Sequence, residues 1–491
     1  MNQEKKRIGP IPVTVSREPA SRVSPLIYGQ FIEHILTCIQ GGVFDPGNPL
    51  SDEEGIRTDV LEKLKMLAPP VMRFPGGTIM CQYHWEDAVG PMEQRIRRQN
   101  LIWGGELSPE FGTAEFVSLC RRLGAEPMIC VNMASGTPEE AAHWVEYCNG
   151  TGNTYYANLR RSHGYEEPFR VKYWCIGNEC YAEPDIGIQH DVNVYVRDAM
   201  EFIKWMKLTD KSIQTVIVGC DDMQWNKAVL DKLHAVTDYF SYHHYSGSEG
   251  KGPYTALWGE NWLREHLEEI ARLVDSYPEK VEDFSPWYRF PPRQEKIRIA
   301  LDEWNIWDFK ADETYGLLQT YRWKDALWTA SVLNLLVDMP QIGMANLAQS
   351  VNVIAPVVAE ETGSWFQTIA YPLLHYRHRM LGSRLPVSFS GPVIDGGEAG
   401  QLDALRISAV VREDGSVCIA AVNRDLEQEY SICLEGIVPV AGEILCLEGT
   451  GAEDTCGMDR CCVREELLEL PETGMIQLPP ASITLITLKM E

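Results

Sequence analysis

Two glutamates, Glu179 and Glu303, stand where apolar runs of the sequence end. Glu179 follows WCIG-Asn178, and Glu303 follows IRIAL-Asp302, so both carboxyl groups are expected at the ends of buried strands. Taken singly, either glutamate is explained as well by a structural role, as a solvated residue or the partner of an arginine, as by a catalytic one. Taken together, a protonated carboxyl group and a negatively charged one can cleave a glycosidic bond, so the pair indicates glycoside hydrolysis.

Further polar residues follow or end other strand-like runs and could bind the hydroxyl groups of a sugar. Aromatic rings that could pack on the apolar face of a sugar are also frequent, although core packing is the more common role of a tryptophan. The polar candidates are Glu33, Arg73, Asn178, His243, Tyr245 and Gln349, and the tryptophans are Trp85, Trp103, Trp304 and Trp307.

The elements that must position these residues alternate between short apolar runs and longer amphipathic segments. The strand-like runs are 26–34, 71–77, 126–133, 171–179, 215–221, 239–245, 297–305 and 344–352. Apolar strands that alternate with helices indicate a parallel sheet covered on both faces, and eight such units indicate a closed barrel. The predicted fold class is therefore α/β, a (β/α)8 TIM barrel, with the polar strand ends meeting at one rim.

Two helix starts can be predicted from capping signals. Thr137 precedes Pro138, with Glu140 placed to complete a capping box, and Ser51 and Glu54 have the same spacing ahead of another helical pattern.

From about residue 386 the sequence changes to short alternating strands separated by Gly, Asp and Asn, which predicts an additional all-β sandwich domain. The strand-like segment near the N-terminus is expected to join that sandwich. The predicted division is residues 1–20 for these N-terminal strands, 21–382 for the catalytic barrel and 383–491 for the C-terminal sandwich.

The chain is strongly acidic, with 44 Lys and Arg against 70 Asp and Glu and a formal net charge of -26. This charge argues against nucleic acid or an anionic membrane surface as a partner. No apolar run suits a signal peptide or a membrane-spanning helix, so a cytoplasmic location is expected.

The 14 cysteines are scattered, and most are expected to be reduced thiols. The cluster Cys446, Cys456, Cys461 and Cys462 lacks paired C-x2-C spacing and a nearby histidine, so no metal site is predicted there.

The segments YGQFIEH, RFPGG, KYWCIGNE, IALDEWNIW, AQSVNVIAP and WFQTIAYP occur in an order that resembles glycoside hydrolase family 51, the α-L-arabinofuranosidases. The resemblance implies a retaining double displacement without a cofactor, acting on a small carbohydrate substrate. It implies that Glu179 is the general acid/base and Glu303 the nucleophile, and that the protein is a homo-oligomer, since family members often form hexamers. The positions implied to hold the sugar or support the pair are Glu33, Arg73, Asn178, Tyr245 and Gln349, with His243 beside them.

The chain departs from the family pattern near the expected substrate. Thr78 follows PGG where the family usually has an asparagine that binds the furanose, so this contact is expected to change. After Glu179 the chain reads CYAEP, without the family's tryptophan near the leaving group.

These departures keep a second specificity open, for an apiofuranoside, a xyloside or a plant-derived aromatic glycoside. A metal-dependent barrel enzyme would instead use Glu179, Asp221 and Glu303 as oxygen ligands. A barrel that binds sugar without catalysis is the remaining hypothesis, and the presence of two carboxylates argues against it.

Overall fold

The computed structural model describes residues 10–182, 186, 191–247, 250, 252–309 and 314–490. Helices and strands are numbered in chain order. Up to residue 366 the strands are β1 (Ile11–Val15), β2 (Gly29–Phe31), β3 (Val71–Phe74), β4 (Arg98–Gln99), β5 (Glu106–Leu107), β6 (Glu126–Val131), β7 (Tyr173–Ile176), β8 (Gln214–Ile217), β9 (Tyr239–Ser246), β10 (Arg298–Ile306), β11 (Ile342–Leu347), β12 (Val357–Glu360) and β13 (Gly363–Phe366).

The remaining strands belong to the C-terminal part, and the helices lie between the earlier strands. These strands are β14 (Ser383–Leu385), β15 (Val387–Ser388), β16 (Val393–Asp395), β17 (Gln401–Asp403), β18 (Leu405–Val411), β19 (Val417–Asn423), β20 (Tyr430–Glu435), β21 (Pro439–Gly449), β22 (Val463–Glu469), β23 (Met475–Leu478) and β24 (Ser482–Met490). The helices are α1 (Thr58–Leu67), α2 (Thr113–Leu123), α3 (Pro138–Asn149), α4 (Tyr155–Ser162), α5 (Val192–Thr209), α6 (Met223–Leu233), α7 (Thr255–Asp275), α8 (Trp323–Asp338) and α9 (Ala370–Arg379).

Eight parallel strands close into a barrel in the order β10-β11-β2-β3-β6-β7-β8-β9. Each of the eight predicted runs overlaps one of these strands, so the predicted barrel is confirmed. Small and medium apolar side chains fill its interior, among them Val71, Met128, Val216 and Met344. The barrel interior is therefore a packed core, and residues that could take part in catalysis are expected at its rim.

The C-terminal strands form a six-stranded sheet, β14-β18-β19-β24-β21-β22, and a four-stranded sheet, β15-β1-β20-β23. The additional all-β domain is thus confirmed. Strand β1 pairs in parallel with β20 and antiparallel with β15, which places the N-terminal segment in the second sheet. The domain limits at residues 20 and 382 remain a prediction.

A buried charge cluster joins the barrel to the six-stranded sheet. Glu260 of α7 is fully buried and accepts hydrogen bonds from Arg406 of β18 and from Arg424, at 3.0 and 3.1 Å. Nearby, Nε1 of Trp323 at the start of α8 donates to the Ala481 carbonyl at 2.6 Å. Each buried charge has an opposite partner, which offsets the cost of removing it from water.

The capping signals are only partly confirmed. The Thr137 side chain accepts a hydrogen bond from the Glu140 amide and begins α3 as predicted, but the Glu140 carboxylate binds Nδ1 of His84, 3.0 Å away, instead of completing a capping box. The predicted helix start at Ser51 is wrong. Helix α1 begins at Thr58, while Asp52 accepts hydrogen bonds from the amides of Glu54 and Ile56 in a preceding turn.

In the part of the chain that the structure describes, no helix is both long and apolar enough to cross a membrane.

Candidate active site

The residues selected from the sequence meet at the carboxyl-terminal rim of the barrel. Glu303 lies on β10 and pairs in register with His243 on β9. Asn178 and Glu179 follow β7 directly, Glu33 follows β2, and Gln349 follows β11. The rim brings together Glu33, Arg73, Asn178, Glu179, His243, Tyr245, Glu303 and Gln349 through the contacts described below.

Glu179 and Glu303 face each other across this rim. A carboxylate oxygen of each, together with a ring nitrogen of His243, lies within 4.8 Å of the other two. Among the described residues Asp221 is not part of this group, and its carboxylate accepts a hydrogen bond from the Tyr242 hydroxyl at 2.7 Å. The ligand set of the metal-dependent hypothesis is therefore not brought together.

The Glu303 carboxylate is held at both of its oxygens. Arg73 Nη1 donates to Oε1 at 2.5 Å, and the Tyr245 hydroxyl donates to Oε2 at 2.7 Å. Arg73 also donates through Nη2 to Oδ1 of Asn178 at 2.6 Å, and its guanidinium lies 4.8 Å from the centre of the Phe31 ring. Arg73 thus links the two strand ends that carry the glutamates.

Two glycines after β3 allow the backbone to approach both Glu303 and Glu33. A Cβ on Gly77 would lie 2.8 Å from Oε1 of Glu303. A Cβ on Gly76 would lie 2.3 Å from Cγ of Glu33, and Gly76 has a φ of +151°. The PGG motif therefore provides space for the carboxylates.

Glu33 is buried and accepts hydrogen bonds from three groups. Oε1 accepts from Trp103 Nε1 at 3.0 Å and from the Ile79 amide at 3.2 Å, and Oε2 accepts from Gln349 Nε2 at 2.8 Å. Burial, with the charge of Glu303, raises the pKa of Glu33 to about 7. Among the described residues, Oε1 of Gln349 has no hydrogen-bond partner although it is buried, so it could accept a hydrogen bond from a ligand.

Thr78 is half-buried and begins a short 3-10 helix, Thr78–Gln82, immediately after the two glycines. Because the next amide, that of Ile79, contacts Glu33, the structure places Thr78 beside the rim residues. A hydroxyl group therefore occupies the position where the family usually has an amide.

His243 lies among three carboxylates, and its side chain is only 5% exposed. Nδ1 is 2.8 Å from Oε1 of Glu179 and 3.7 Å from Oε2 of Glu303, while Nε2 is 3.4 Å from Oδ1 of Asp302. Burial lowers the pKa of His243, but the charges of Glu303 and Asp302 outweigh it, and the pKa is raised well above its usual value.

The pKa of Glu179 moves in the opposite direction. Burial raises it, but the hydrogen bond and charge of His243 bring it below the usual value for a glutamate. Asp302 behaves similarly, because Arg73 and His243 lower its pKa against the effect of burial. The structure therefore favours a protonated His243 beside negatively charged Glu179 and Asp302.

Asp302 and Tyr181 were not assigned a role from the sequence, and Trp103 was expected only as a ring that could pack on a sugar. Asp302 contacts His243 and accepts a hydrogen bond from Ser241 at 2.5 Å, Trp103 holds Glu33, and the Tyr181 hydroxyl lies 3.4 Å from Oε1 of Glu179. The position of Asp302 next to Glu303 in the sequence could have identified it as a residue of the site. Trp103 and Tyr181 lie in loops, where no periodic pattern marks them.

The tryptophans have different roles. Trp85 and Trp304 are each 1% exposed and belong to the core, as the common role of tryptophan suggests. Trp307 packs edge-to-face on Tyr245, with the ring centres 5.3 Å apart, and Tyr245 in turn binds Glu303. Trp103 and Trp307 are therefore the tryptophans of this set that contact rim residues.

A closed (β/α)8 barrel with two opposed glutamates and a surrounding set of hydrogen-bonding groups at its carboxyl rim is the architecture of a barrel glycoside hydrolase. Residues 63–264 match the model of the α-L-arabinofuranosidase 1 domain, and residues 302–457 match that of the α-L-arabinofuranosidase C-terminal domain. The chain belongs to the α-L-arabinofuranosidases of glycoside hydrolase family 51 and is a glycoside hydrolase.

Individual relatives align over most of their length. Alpha-L-arabinofuranosidase C of Emericella nidulans is 38% identical, over 88% of this chain and 87% of the relative. An intracellular exo-alpha-(1->5)-L-arabinofuranosidase of Halalkalibacterium halodurans is 35% identical, over 83% of both chains. The solved structure of an alpha-L-arabinofuranosidase from Thermotoga maritima in complex with arabinose superposes with a TM-score of 0.87 at 34% identity, over 98% of this chain and 100% of the other.

Proposed function

We propose that this protein is a retaining, exo-acting α-L-arabinofuranosidase that releases terminal α-L-arabinofuranosyl groups from oligosaccharides or glycosides. The observation that carries the proposal is the Glu179–Glu303 pair, in which one carboxylate oxygen of each residue lies within 4.8 Å of one of the other. Retaining glycosidases place their carboxyl groups roughly 5–5.5 Å apart, whereas inverting enzymes need about 6.5–9.5 Å to admit a water molecule. The short separation supports a double displacement.

Glu303 acts as the nucleophile. Its carboxylate attacks the anomeric carbon, and the bond from that carbon to the leaving oxygen breaks. Arg73 and Tyr245 each hold one carboxylate oxygen, which fixes its orientation before the substrate arrives. The absence of a side chain at Gly77 leaves room for this carboxylate.

Glu179 acts as the general acid and then as the base. In the first step it protonates the leaving oxygen, and in the second it removes a proton from the water that attacks the anomeric carbon and breaks the bond to Glu303. His243 shares a hydrogen bond of 2.8 Å with Glu179 and carries the proton in the free enzyme. Transfer from Nδ1 to Oε1 therefore supplies the acid form of Glu179.

The remaining rim residues hold the sugar. We assign Glu33, Asn178, Gln349 and Thr78 to its hydroxyl groups, because the first three are buried polar groups on one rim and Thr78 adjoins them. A site that hydrogen-bonds particular hydroxyl groups discriminates strongly against sugars that lack them. The relatives favour an arabinofuranoside over an apiofuranoside, a xyloside or an aromatic plant glycoside.

We also propose a cytoplasmic location and a homo-oligomeric state. The name of the intracellular relative from Halalkalibacterium halodurans supports the location. Exposed apolar side chains at β21 and β22, namely Val438, Val440, Leu467 and Leu468, support self-association, which light scattering coupled to size-exclusion chromatography would measure.

A panel of nitrophenyl furanosides and pyranosides, with the anomer formed first followed by NMR, tests the main proposal. We expect the α-L-arabinofuranoside to be hydrolysed fastest and α-arabinofuranose to form first. First formation of the β anomer would overturn retention, and faster hydrolysis of another glycoside would overturn the specificity.

A further inference from the structure

The loop of residues 450–462, which joins β21 to β22, contains three cysteines that the proposed hydrolysis does not use. The loop is fixed to the start of α8, because the amides of Trp323 and Lys324 donate to the carbonyls of Asp454 and Ala452, each at 2.9 Å. The first and last residues of the loop are joined by a hydrogen bond from the Thr450 amide to the Cys462 carbonyl, also 2.9 Å long. The cysteines are therefore held by a defined backbone.

The sulfur atoms of this thiol cluster (Cys456, Cys461 and Cys462) lie close together. Sγ of Cys456 is 3.5 Å from Sγ of Cys462 and 3.9 Å from Sγ of Cys461. Cys456 and Cys462 are buried, whereas Cys461 is exposed and its sulfur lies 2.8 Å from the Tyr371 hydroxyl. Cys446, which the sequence placed in the same group, instead contacts Thr484.

The contact with Cys462 activates Cys456. Hydrogen bonding by Cys462 stabilises the Cys456 thiolate and lowers the pKa of Cys456 to about 6. A thiolate is the nucleophilic form of cysteine, and a thiolate next to a second thiol is the arrangement found in cysteines that are oxidised reversibly. At neutral pH the pair thus contains both a nucleophile and a resolving thiol.

We propose that Cys456 and Cys462 form a thiol oxidation site that reacts with hydroperoxides and closes to a disulfide. The Cys456 thiolate attacks the terminal oxygen of the hydroperoxide, an S–O bond forms as the O–O bond breaks, and the alkoxide leaves as the alcohol after taking a proton from water. The sulfur of Cys462 then attacks Sγ of Cys456. An S–S bond forms, the S–O bond breaks, and hydroxide leaves as water with the thiol proton. Two thiols are oxidised by two electrons, and one hydroperoxide is reduced to an alcohol and water.

Cys462 is the partner because its sulfur is nearer and because Tyr371 holds the sulfur of Cys461. Formation of the bond requires the sulfurs of Cys456 and Cys462 to approach from 3.5 Å to about 2.05 Å. Both cysteines belong to the same loop, 450–462. Cys461 keeps its contact with Tyr371 and remains a free thiol.

The test uses the full-length protein, treated at pH 7 with an equimolar amount of cumene hydroperoxide and then alkylated. We expect a loss of two hydrogens in the intact mass and two fewer alkylated thiols. Cleavage after Glu453, Arg460 and Arg464 separates residues 454–460, which contain Cys456, from residues 461–464, which contain the other two cysteines. The disulfide should appear as these two peptides joined, and a reducing agent should release them.

Four variants identify the pair. The joined peptides should be absent from Cys456→Ser and Cys462→Ser and should persist in Cys461→Ser. They should also persist in the control Cys433→Ser, because the native Cys433 sulfur lies away from the cluster and contacts the Ile11 carbonyl. Equal thermal unfolding temperatures of the reduced variants would show that the fold is intact. Oxygen addition without joined peptides, no reaction, or a pair that requires Cys461 and not Cys462 would overturn the proposal.

Discussion

Nδ1 of His243 lies 2.8 Å from Oε1 of Glu179, so the imidazole and the carboxyl group are within hydrogen-bond distance. The surrounding carboxylates raise the pKa of His243 and the imidazolium lowers that of Glu179, so the proton rests on the histidine. In the proposed mechanism the acid that cleaves the glycoside is therefore this pair of residues, and its protonation state follows the titration of the pair.

Replacing His243 with Asn should move the basic limb of the kcat/KM profile to lower pH. In the native enzyme the pair keeps its proton until the pH passes the raised pKa of His243. In His243→Asn the proton must reside on Glu179, whose ordinary pKa is far lower, so the acid form is lost earlier as pH rises. Initial rates on nitrophenyl α-L-arabinofuranoside measure the shift. An unchanged basic limb would show that His243 does not hold the catalytic proton.

Glu179→Ala and Glu303→Ala should fail in different ways. Loss of the general acid should lower kcat by about 10²–10⁴-fold on a poor leaving group, and far less on an activated aryl leaving group. Azide should restore turnover of Glu179→Ala and give a glycosyl azide of retained configuration. Glu303→Ala should be nearly inactive and give no retained azide, because it cannot form the glycosyl-enzyme. NMR of the azide products distinguishes the two roles. If Glu303→Ala gave the retained azide and Glu179→Ala did not, Glu303 would be the acid/base and Glu179 the nucleophile.

Thr78→Asn should strengthen binding of the furanose. An amide offers an NH2 group and a carbonyl oxygen beside Glu33 in place of one hydroxyl group, and one further hydrogen bond contributes about 0.5–1.5 kcal/mol, which corresponds to about a 2- to 10-fold decrease in KM. Thr78→Ser keeps a hydroxyl group and serves as the matched control, with KM expected near that of the native enzyme. An unchanged KM in Thr78→Asn would mean that the side chain at position 78 does not contact the sugar, and a raised KM would mean that the site does not accommodate an amide there.

Gly77→Ala should lower kcat by displacing the Glu303 carboxylate, because the new Cβ would lie 2.8 Å from Oε1. We expect at least about a 10²-fold decrease, since small misplacements of a reacting group have effects of this size. Gly152→Ala is the control, because its Cβ would meet only a Thr154 methyl group at 3.7 Å. Equal decreases in the two variants would argue against a positioning role for Gly77.

The barrel could be predicted because its strands are buried on both faces and read as apolar runs. The same rule located Glu179 and Glu303, since a polar residue that ends such a run lies at the rim. Neither inference requires knowledge of long-range contacts. The roles of the two glutamates and of the sugar-binding residues remain proposals, supported by the geometry of the rim.

The parts that the sequence did not reveal depend on partners from distant segments. Glu140 follows Thr137 with capping-box spacing, yet its carboxylate binds His84, which comes from a different βα unit. Trp103 reaches Glu33 from an irregular loop, and Tyr181 reaches Glu179 from a turn. Local spacing predicts a possible hydrogen bond, but tertiary contacts decide which partner the side chain takes.

Asp325, a buried carboxyl group of α8, provides a test of how burial makes the stability of the protein depend on pH. It lies in the first turn of α8, is 1% exposed, and accepts a hydrogen bond from the Arg322 amide at 2.7 Å. Burial raises the pKa of Asp325 from 3.8 to about 7. The folded protein therefore binds the Asp325 proton more tightly than the unfolded chain does. The contribution of this proton to the free energy of unfolding is complete below pH 4 and is lost as the pH rises to about 7. The loss is of order 4 kcal/mol for a fully buried group.

Asp325→Asn keeps an acceptor for the Arg322 amide and cannot ionise, so it should remove this loss. We expect the variant to unfold at a higher temperature than the native protein at pH 8 and at nearly the same temperature at pH 4, as measured by calorimetry. The exposed control Asp283→Asn should change neither value. Equal unfolding temperatures for Asp325→Asn and the native protein at pH 8 would mean that the Asp325 carboxylate is compensated in the folded state, and a lower value would mean that its charge stabilises α8.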